Sequence, residues 1–253
     1  MCLILAAWHA HPDYPLVIAA NRDEYHVRQA APAIWWDRPP MLAGRDLSAD
    51  GTWLGLTRDG RFAVLTNYRD PERIRQGTPS RGGIVPDMLR DTQSVSDRLQ
   101  QLAKHSSSYN GFNLLFGDRQ QLAVFESVPG QGGVLDPGVY GLSNHLLDTP
   151  WPKVVAAKAA LGRAILRLPD ETSLLALLRD SRPARDDQLP RTGVSVEWER
   201  LLSSAFIRAD EYGTRCSTII TIDARGDARF TEWTWDRRGE PAGEARFRFH
   251  ISS

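Results

Sequence analysis

The residue types best suited to chemistry gather at a few places in the chain. Cys2 puts a thiol at its start. Asn21, Arg22, Asp23 and Glu24 stand together directly after the apolar run Leu16 to Ala20. A small residue beside an initiator methionine permits its removal, and removal of Met1 would leave Cys2 with a thiol and a free α-amine on one residue. That amine has an ordinary pKa of about 7.7–8.0, so it accepts a thiol proton near neutral pH. Nucleophile and base on one residue is the logic of an N-terminal nucleophile. Asp23 would orient or stabilise the ammonium that forms. Arg22 would lower the thiol pKa by its charge, and Asn21 would offer its side-chain amide to a developing oxyanion. The same residues also read without chemistry: Cys2 as a small buried hydrophobe at a strand start, and Arg22 with Asp23 as an ion pair at a sheet edge.

Further polar groups sit where strands are expected to end. Asn67 closes "FAVLTN" and Asn144 closes "VYGLSN", so both are candidate oxyanion donors or, equally, turn residues making Asx contacts. Arg215 precedes the apolar run "CSTIITI" and is placed either to activate the thiol and bind an anionic group or to form a salt bridge. Arg81, in "PSRGG", stands beside an expected helix start, where it would hold an anionic part of a substrate; Ser80 there also reads as a simple cap. The six histidines show no ligand spacing, and with two cysteines no metal site is expected. "PGQGGV" at 129–134 lacks the following helix that a phosphate loop requires and reads as a hairpin turn.

Short apolar runs bounded by turn residues position these groups. Strands are expected at 2–8, 16–20, 52–57, 62–67, 111–116, 122–127, 138–143, 216–222, 228–235 and 245–251. The runs are almost continuously apolar, so both faces of their sheets should be covered. Short turns between neighbours make the pairing mainly antiparallel. Helical spacing marks 151–168, with Thr149 as the expected cap and Pro150 at the first helical position, and also 84–90, 94–105, 171–180 and 195–206. The polar, proline-containing stretch 181–193 is a surface loop. Together these predict an α+β fold: a four-layer αββα sandwich of two mainly antiparallel sheets, in one domain over 1–253. A hairpin that pairs Trp8 with Pro15 sets Cys2 opposite Asn21; a slip of one or two residues makes the partner Arg22 or Asp23.

Composition narrows the class. Of 253 residues 42% are hydrophobic and 25% charged, which is ordinary globular usage. Lys plus Arg and Asp plus Glu both number 31, so the basic excess of a nucleic-acid binder is missing. No apolar run approaches the ~20 residues of a membrane span. The opening "MCLILAAWHAHPDYP" lacks a basic stretch and a cleavage site, so a cytoplasmic location with reduced cysteines is expected. Eight tryptophans are available to line a core or an apolar pocket.

The segments "MCLILAAW", "AANRDE", "AGRD", "GTWLGL", "LTNYR", "SRG", "GFNLL", "YGLSNHLLDTPWPKV", "LPRTGVSVEWERLLSSAFI" and "YGTRCST" run in order through nearly the whole chain. They resemble the NRDE family, which includes the transport-and-Golgi-organisation-two-like proteins and is similar to N-terminal nucleophile hydrolases of αββα fold, in particular cysteine-type amidases. The resemblance implies Cys2 as nucleophile, with Asp23, Asn21, Asn67, Asn144 and Arg215 as the polar groups around it, and a small-molecule amide as substrate. One departure is visible: those amidases carry an arginine just before the asparagine, where this chain has Ala20, and its arginine is Arg22. The family resemblance also implies an alternative, a non-catalytic carrier of haem or another apolar ligand; no other cofactor is expected.

Overall fold

The run "CLILAAW" sends its side chains alternately to two faces, and both are covered. The computed structural model describes residues 2–90 and 92–251. In it β1 (Cys2–Trp8) is buried along its full length. Cys2, Ile4, Ala6 and Trp8 enter a core shared with the other sheet, while Leu3, Leu5 and Ala7 pack on helices. Alternation with cover on both sides is why the run shows no polar residue.

β1 pairs antiparallel with β2 (Leu16–Tyr25) and β10 (Gly138–Leu142). β2 continues to β11 (Tyr212–Ile222), then β12 (Asp227–Trp235) and the exposed edge strand β13 (Pro241–His250), giving the order β10-β1-β2-β11-β12-β13. The second sheet is a seven-stranded meander. It runs through β3 (Ala30–Trp36), β4 (Met41–Asp46), β5 (Leu54–Thr57), β6 (Phe62–Asn67), β7 (Phe112–Gly117), β8 (Leu122–Glu126) and β9 (Gln131–Leu135). Every named pairing is antiparallel, as the short turns predict.

Three apolar clusters define the layers. One fills the space between the sheets, with Ile4, Ile18, Leu56, Phe62, Leu115 and Phe230. A second joins the outer face of the first sheet to α3 (Pro152–Ala164) and α4 (Thr172–Leu178). A third joins the outer face of the meander to α1 (Ile84–Leu89) and α2 (Val95–His105). The result is the expected αββα sandwich. A fifth helix, α5 (Val196–Leu202), packs its Leu202 with Ile207 and Tyr212.

Several boundaries differ from the reading of the sequence, each for a local reason. The polar tetrad does not follow the second strand but forms its last part, because β2 is the centre of a sheet and its ladder continues through Tyr25. Trp151 rather than Thr149 caps α3, with Pro152 in its first turn. β3, β4 and β9 were not expected: "AAPAIWW" carries a proline, and "QGGVL" carries two glycines beside the turn at Gly130, which has positive φ. Such residues depress any strand signal.

Candidate active site

The ladder between β1 and β2 sets the geometry. Trp8 pairs with Leu16, one residue later than the hairpin count, so Cys2 lies opposite Arg22 and Leu3 opposite Asn21. On the other side of β2, Cys216 also pairs with Arg22. Directly opposed residues share a face. Arg22 therefore stands between two thiols on the inter-sheet face, with Cys2 on one side and Cys216 on the other. The period of two turns Asn21 and Asp23 to the opposite face, toward the helices.

A cavity of about 360 Å³ opens at this end of the sheets, and Cys2, Arg22, Asp23, Asn67 and Arg81 all line it. Trp53 and Leu65 give it an apolar wall, and Glu24, Arg28 and Asp46 add charge. Arg22 Nη2 donates to Asp46 Oδ2 at 2.7 Å, and Arg28 Nε donates to the same oxygen at 2.6 Å. Burial pushes the Asp46 carboxyl up, but the two arginines outweigh it and hold it below the usual carboxylate range. Arg22 Nη1 is buried without a hydrogen-bond partner among the described residues. Burial works against the Arg22 charge, yet the surrounding sulfurs and carboxylates, led by Cys216, leave its pKa raised. Cys2 is 7% exposed. Burial, with Asp23 adding to it, leaves its thiol pKa raised, against the opposing pull of Arg22 and of a hydrogen bond from the Asp23 backbone N–H.

Asp23 thus meets the thiol through its backbone. Its carboxylate, on the helix side, accepts from Thr214 Oγ1 at 2.7 Å. Burial raises the Asp23 pKa, against the opposing pull of Lys153, Thr214 and Arg22. Asn67 ends β6 at the cavity. Its carbonyl accepts from Asn144 Nδ2 at 2.9 Å, and Ser143 Oγ donates to the Cys2 carbonyl at 3.0 Å. Arg81 Nη1 donates to the Gly111 carbonyl at 2.9 Å, which ties its loop to the start of β7. Ser80 accepts from Gly82 N–H at 3.2 Å, the capping geometry expected of it. That loop lies against Gly51 so closely that a Cβ there would sit 2.2 Å from the Gly82 carbonyl oxygen, so the position requires glycine.

Three of the expected site residues do not line this cavity. Asn21 is fully buried, and both hydrogens of its amide are used, on the carbonyls of Leu178 and Ala205, each at 2.8 Å. Its Oδ1 accepts from Ser217 Oγ at 2.6 Å. No donor is left for an oxyanion, and the expectation is corrected: Asn21 clasps two segments onto the sheet. Asn144 is also fully buried and acts on the backbone of Asn67 rather than in the cavity. Arg215 occupies the bulge where the β2–β11 register shifts. A bulge re-aims its side chain, and Nη1 here donates to the carbonyls of Tyr25 at 3.0 Å and Arg28 at 2.9 Å. It shapes the turn that delivers Arg28 to Asp46 and does not face Cys2.

The sequence reading missed a buried charged group behind Cys2. Arg69 Nη1 and Glu199 Oε2 pair at 2.8 Å with side chains 4% and 3% exposed. Lys153, 6% exposed, is the one charged residue among the buried positions of α3. Its amine is pushed down to about 8 by burial first and by Arg69 second, with Asp23, Cys2 and Glu199 acting the other way. A signal was available: Lys153, Ala157, Leu161 and Ala164 follow helical spacing on the apolar stripe. A larger cavity, about 1060 Å³, lies between α3 and α4 and reaches Lys153 but not Cys2. Among the described residues no group of three or more His, Cys, Asp or Glu could hold a metal ion, and no helix is long and apolar enough to cross a membrane.

The fold and the site define a four-layer αββα protein that presents a cysteine at the start of its first strand to a charged cavity. The chain belongs to the Transport and Golgi organisation 2 family, whose profile matches residues 1–237. It is 34% identical over 259 residues to the Transport and Golgi organization protein 2 homolog of Bos taurus, covering 92% of each chain. Against the Homo sapiens homolog it is 34% identical over 256 residues with the same coverage, and against the Drosophila melanogaster protein 27% identical over 263 residues, again with 92% of each chain covered. Among solved structures it is similar to the C2A mutant of a conjugated bile acid hydrolase from Clostridium perfringens, with 14% identity, 98% of this chain and 92% of that one covered, and a TM-score of 0.47. An N-acylethanolamine-hydrolyzing acid amidase ortholog from Caenorhabditis elegans matches at 10% identity, 87% and 92% coverage and a TM-score of 0.42.

Proposed function

We propose that this chain is an N-terminal-cysteine hydrolase of a small, non-peptide amide. The observation that carries the reading is the position of Cys2: a thiol at the first strand's start, opening into the 360 Å³ cavity with Arg22 directly across the ladder. Met1 lies outside the described residues, and the reaction requires its removal. The α-amine of Cys2 takes the thiol proton while sulfur attacks the amide carbon. The carbonyl oxygen becomes an oxyanion facing Asn67 and the Arg22 guanidinium, both of which line the cavity. Collapse breaks the C–N bond, the ammonium returns its proton to the departing amine, and a thioester remains on Cys2. Water, deprotonated by the same amine, hydrolyses that thioester and restores the thiol. Trp53 and Leu65 suit an apolar acyl part, and Arg81 suits a polar or anionic group.

A location in a reducing compartment such as the cytoplasm fits this use of a free thiol. The alternative, a carrier of haem or another apolar ligand, has its best support in the α3–α4 groove, walled by Ala156, Ala160, Ala164, Ala176 and Leu177; among the described residues that line it none is histidine or cysteine. The deciding experiment is a screen of N-acyl amides with wild type and Cys2→Ala, alongside intact mass of the purified chain. Turnover by wild type alone, on protein that has lost Met1, is the expected result. Equal turnover by Cys2→Ala, or quantitative retention of Met1 in cells, overturns the reading. Saturable haem binding with a Soret shift and no amide turnover favours the carrier.

A further inference from the structure

Cys2 stands at the uneven end of its strand. On one side it is held in the ladder, opposite Arg22 of β2. On the other side the ladder of β1 with β10 runs from Trp8–Gly138 only as far as Ile4–Leu142, two residues short of Cys2. A side chain there takes the place of the missing ladder bond. Ser143, the first residue after β10 and 2% exposed, donates from Oγ to the Cys2 carbonyl at 3.0 Å. Its one hydroxyl hydrogen has a second acceptor in reach, Asn144 Oδ1, at the longer distance of 3.3 Å. Ser143 is anchored in turn from the opposite sheet. Its carbonyl accepts from Thr66 Oγ1 of β6 at 2.6 Å, and the Asn144 carbonyl accepts from the Arg69 N–H at 2.7 Å.

We propose that Ser143 is a positioning residue for Cys2: its hydroxyl pins the peptide plane from which the nucleophile hangs. A residue that has become the N-terminus has no peptide before it, so only its bond to Leu3 carries it. The Cys2 Cα, carbonyl carbon and oxygen lie in one plane with the Leu3 nitrogen. Holding that oxygen therefore fixes the Cα. The torsions about Cα–C and Cα–Cβ are left to place the amine and the sulfur, and the bond from the Asp23 N–H to the sulfur limits them. Without the Ser143 hydroxyl the carbonyl loses this donor, the plane tilts, and amine and thiol lose their common aim. The next residue, Asn144, holds the Asn67 carbonyl. Two consecutive residues thus set the place of the nucleophile relative to Asn67 across the two sheets. This inference rests on the reading of Cys2 as an N-terminal nucleophile.

The test uses protein whose intact mass shows the loss of Met1. It follows alkylation of Cys2 by iodoacetamide as a function of pH, read by peptide mass spectrometry with Cys216 as the internal reference. Ser143→Ala should raise the Cys2 midpoint by about one pH unit and slow alkylation at pH 7 about tenfold, the effect of an ammonium no longer held beside the thiolate. Ser143→Thr, which keeps the hydroxyl, should bring the rate back to within about threefold of wild type. Thr66→Val loosens the same segment but leaves the Ser143 hydroxyl in place, so it should lower Tm and keep the Cys2 profile within about twofold. The charged and titratable groups around the sulfur are Arg22 and Asp23 on β2, Arg81 in its loop, Lys153 on α3, and Tyr212 and Cys216 on β11. All are the same in wild type and variants, so a moved profile reports placement. If Ser143→Ala does not fold, Ser143→Cys, a weaker donor, should shift the midpoint in the same direction. An unmoved midpoint in the folded Ala or Cys variant overturns the proposal, and so does Thr66→Val slowing Cys2 as much as Ser143→Ala. If Cys2 of the wild type labels no faster than Cys216, the nucleophile reading itself falls; if it labels fast but ignores position 143, only the present inference does.

Discussion

Replacing Asn21 by alanine separates a structural clasp from a catalytic amide. The side chain makes three hydrogen bonds at full burial: two donated, to Leu178 O and Ala205 O at 2.8 Å each, and one accepted from Ser217 Oγ at 2.6 Å. Leu178 ends α4, and Ala205 lies between α5 and β11, so one side chain fastens two remote segments to the central strand. At about 1 kcal/mol net for each bond, Asn21→Ala loses about 3 kcal/mol. Two buried carbonyls left without a donor, and the space vacated by the amide, bring the cost to about 3–5 kcal/mol. For a chain of this size each kcal/mol moves Tm by about 2–4 °C, so a fall of about 6–20 °C is expected by calorimetry. Asn21→Asp keeps the shape but aims a carboxylate at two carbonyl oxygens, and should cost more at pH 7 than at pH 5. Cys2 alkylation at 20 °C should stay within about twofold of wild type, because Asn21 faces the other side of the sheet. A Tm change below about 2 °C, or lost Cys2 reactivity in a variant of unchanged Tm, would refute the clasp and restore the oxyanion role.

Gly51→Ala drives a methyl group against the Gly82 carbonyl, where only 2.2 Å is available. It should cost about 1–3 kcal/mol in urea unfolding and speed proteolysis within residues 78–83; an unchanged cleavage rate means the Arg81 loop is not seated on Gly51. Glu199→Gln removes the charge partner of Arg69 in a pair 3–4% exposed. It should destabilise the chain by about 3–5 kcal/mol, and a loss below about 1 kcal/mol by chemical denaturation contradicts the pair's importance. Lys153, at about 8 in the folded chain, stands near 10.4 in an unfolded one. Between those values the unfolded chain holds the proton and the folded chain has released it, so this residue's contribution to stability rises with pH. The stability of wild type minus that of Lys153→Met should therefore climb from about pH 8 to pH 10, and a flat difference contradicts the depressed value.

The layered fold was legible because its cause is written along each strand. "CLILAAW" is apolar throughout and "FAVLTN" at all but its last two positions, which only cover on both faces explains, and both strands form as read. The site was legible in part. Hairpin arithmetic brought the tetrad to Cys2 within one residue, and that residue mattered, since each step along a strand exchanges one face for the other. It gave Arg22 rather than Asn21 to the thiol. The bulge at Arg215 cannot be read from periodicity, because a bulge is one residue out of phase, and Arg215 was accordingly misplaced. Asn67 and Asn144 were each read as strand-end residues, and the bond from Asn144 to the Asn67 backbone joins residues 77 positions apart, a contact that no local pattern encodes. Asp46, which joins Arg22 to Arg28, was invisible for the same reason.

The rank Cys2–Arg22–Cys216 across three strands fixes how the protein can meet an oxidant. With β2 between them, the two cysteine backbones are separated by two strand spacings, about 9.6 Å. A disulfide spans at most about 7 Å between Cα atoms. The folded chain therefore cannot shelter Cys2 by an internal bridge, and peroxide or a small disulfide must leave a sulfenic acid or a mixed adduct on it, open to rescue by any thiol that enters the cavity. A Cys2–Cys216 crosslink found in a preparation would report that the central sheet had come apart before the bond closed.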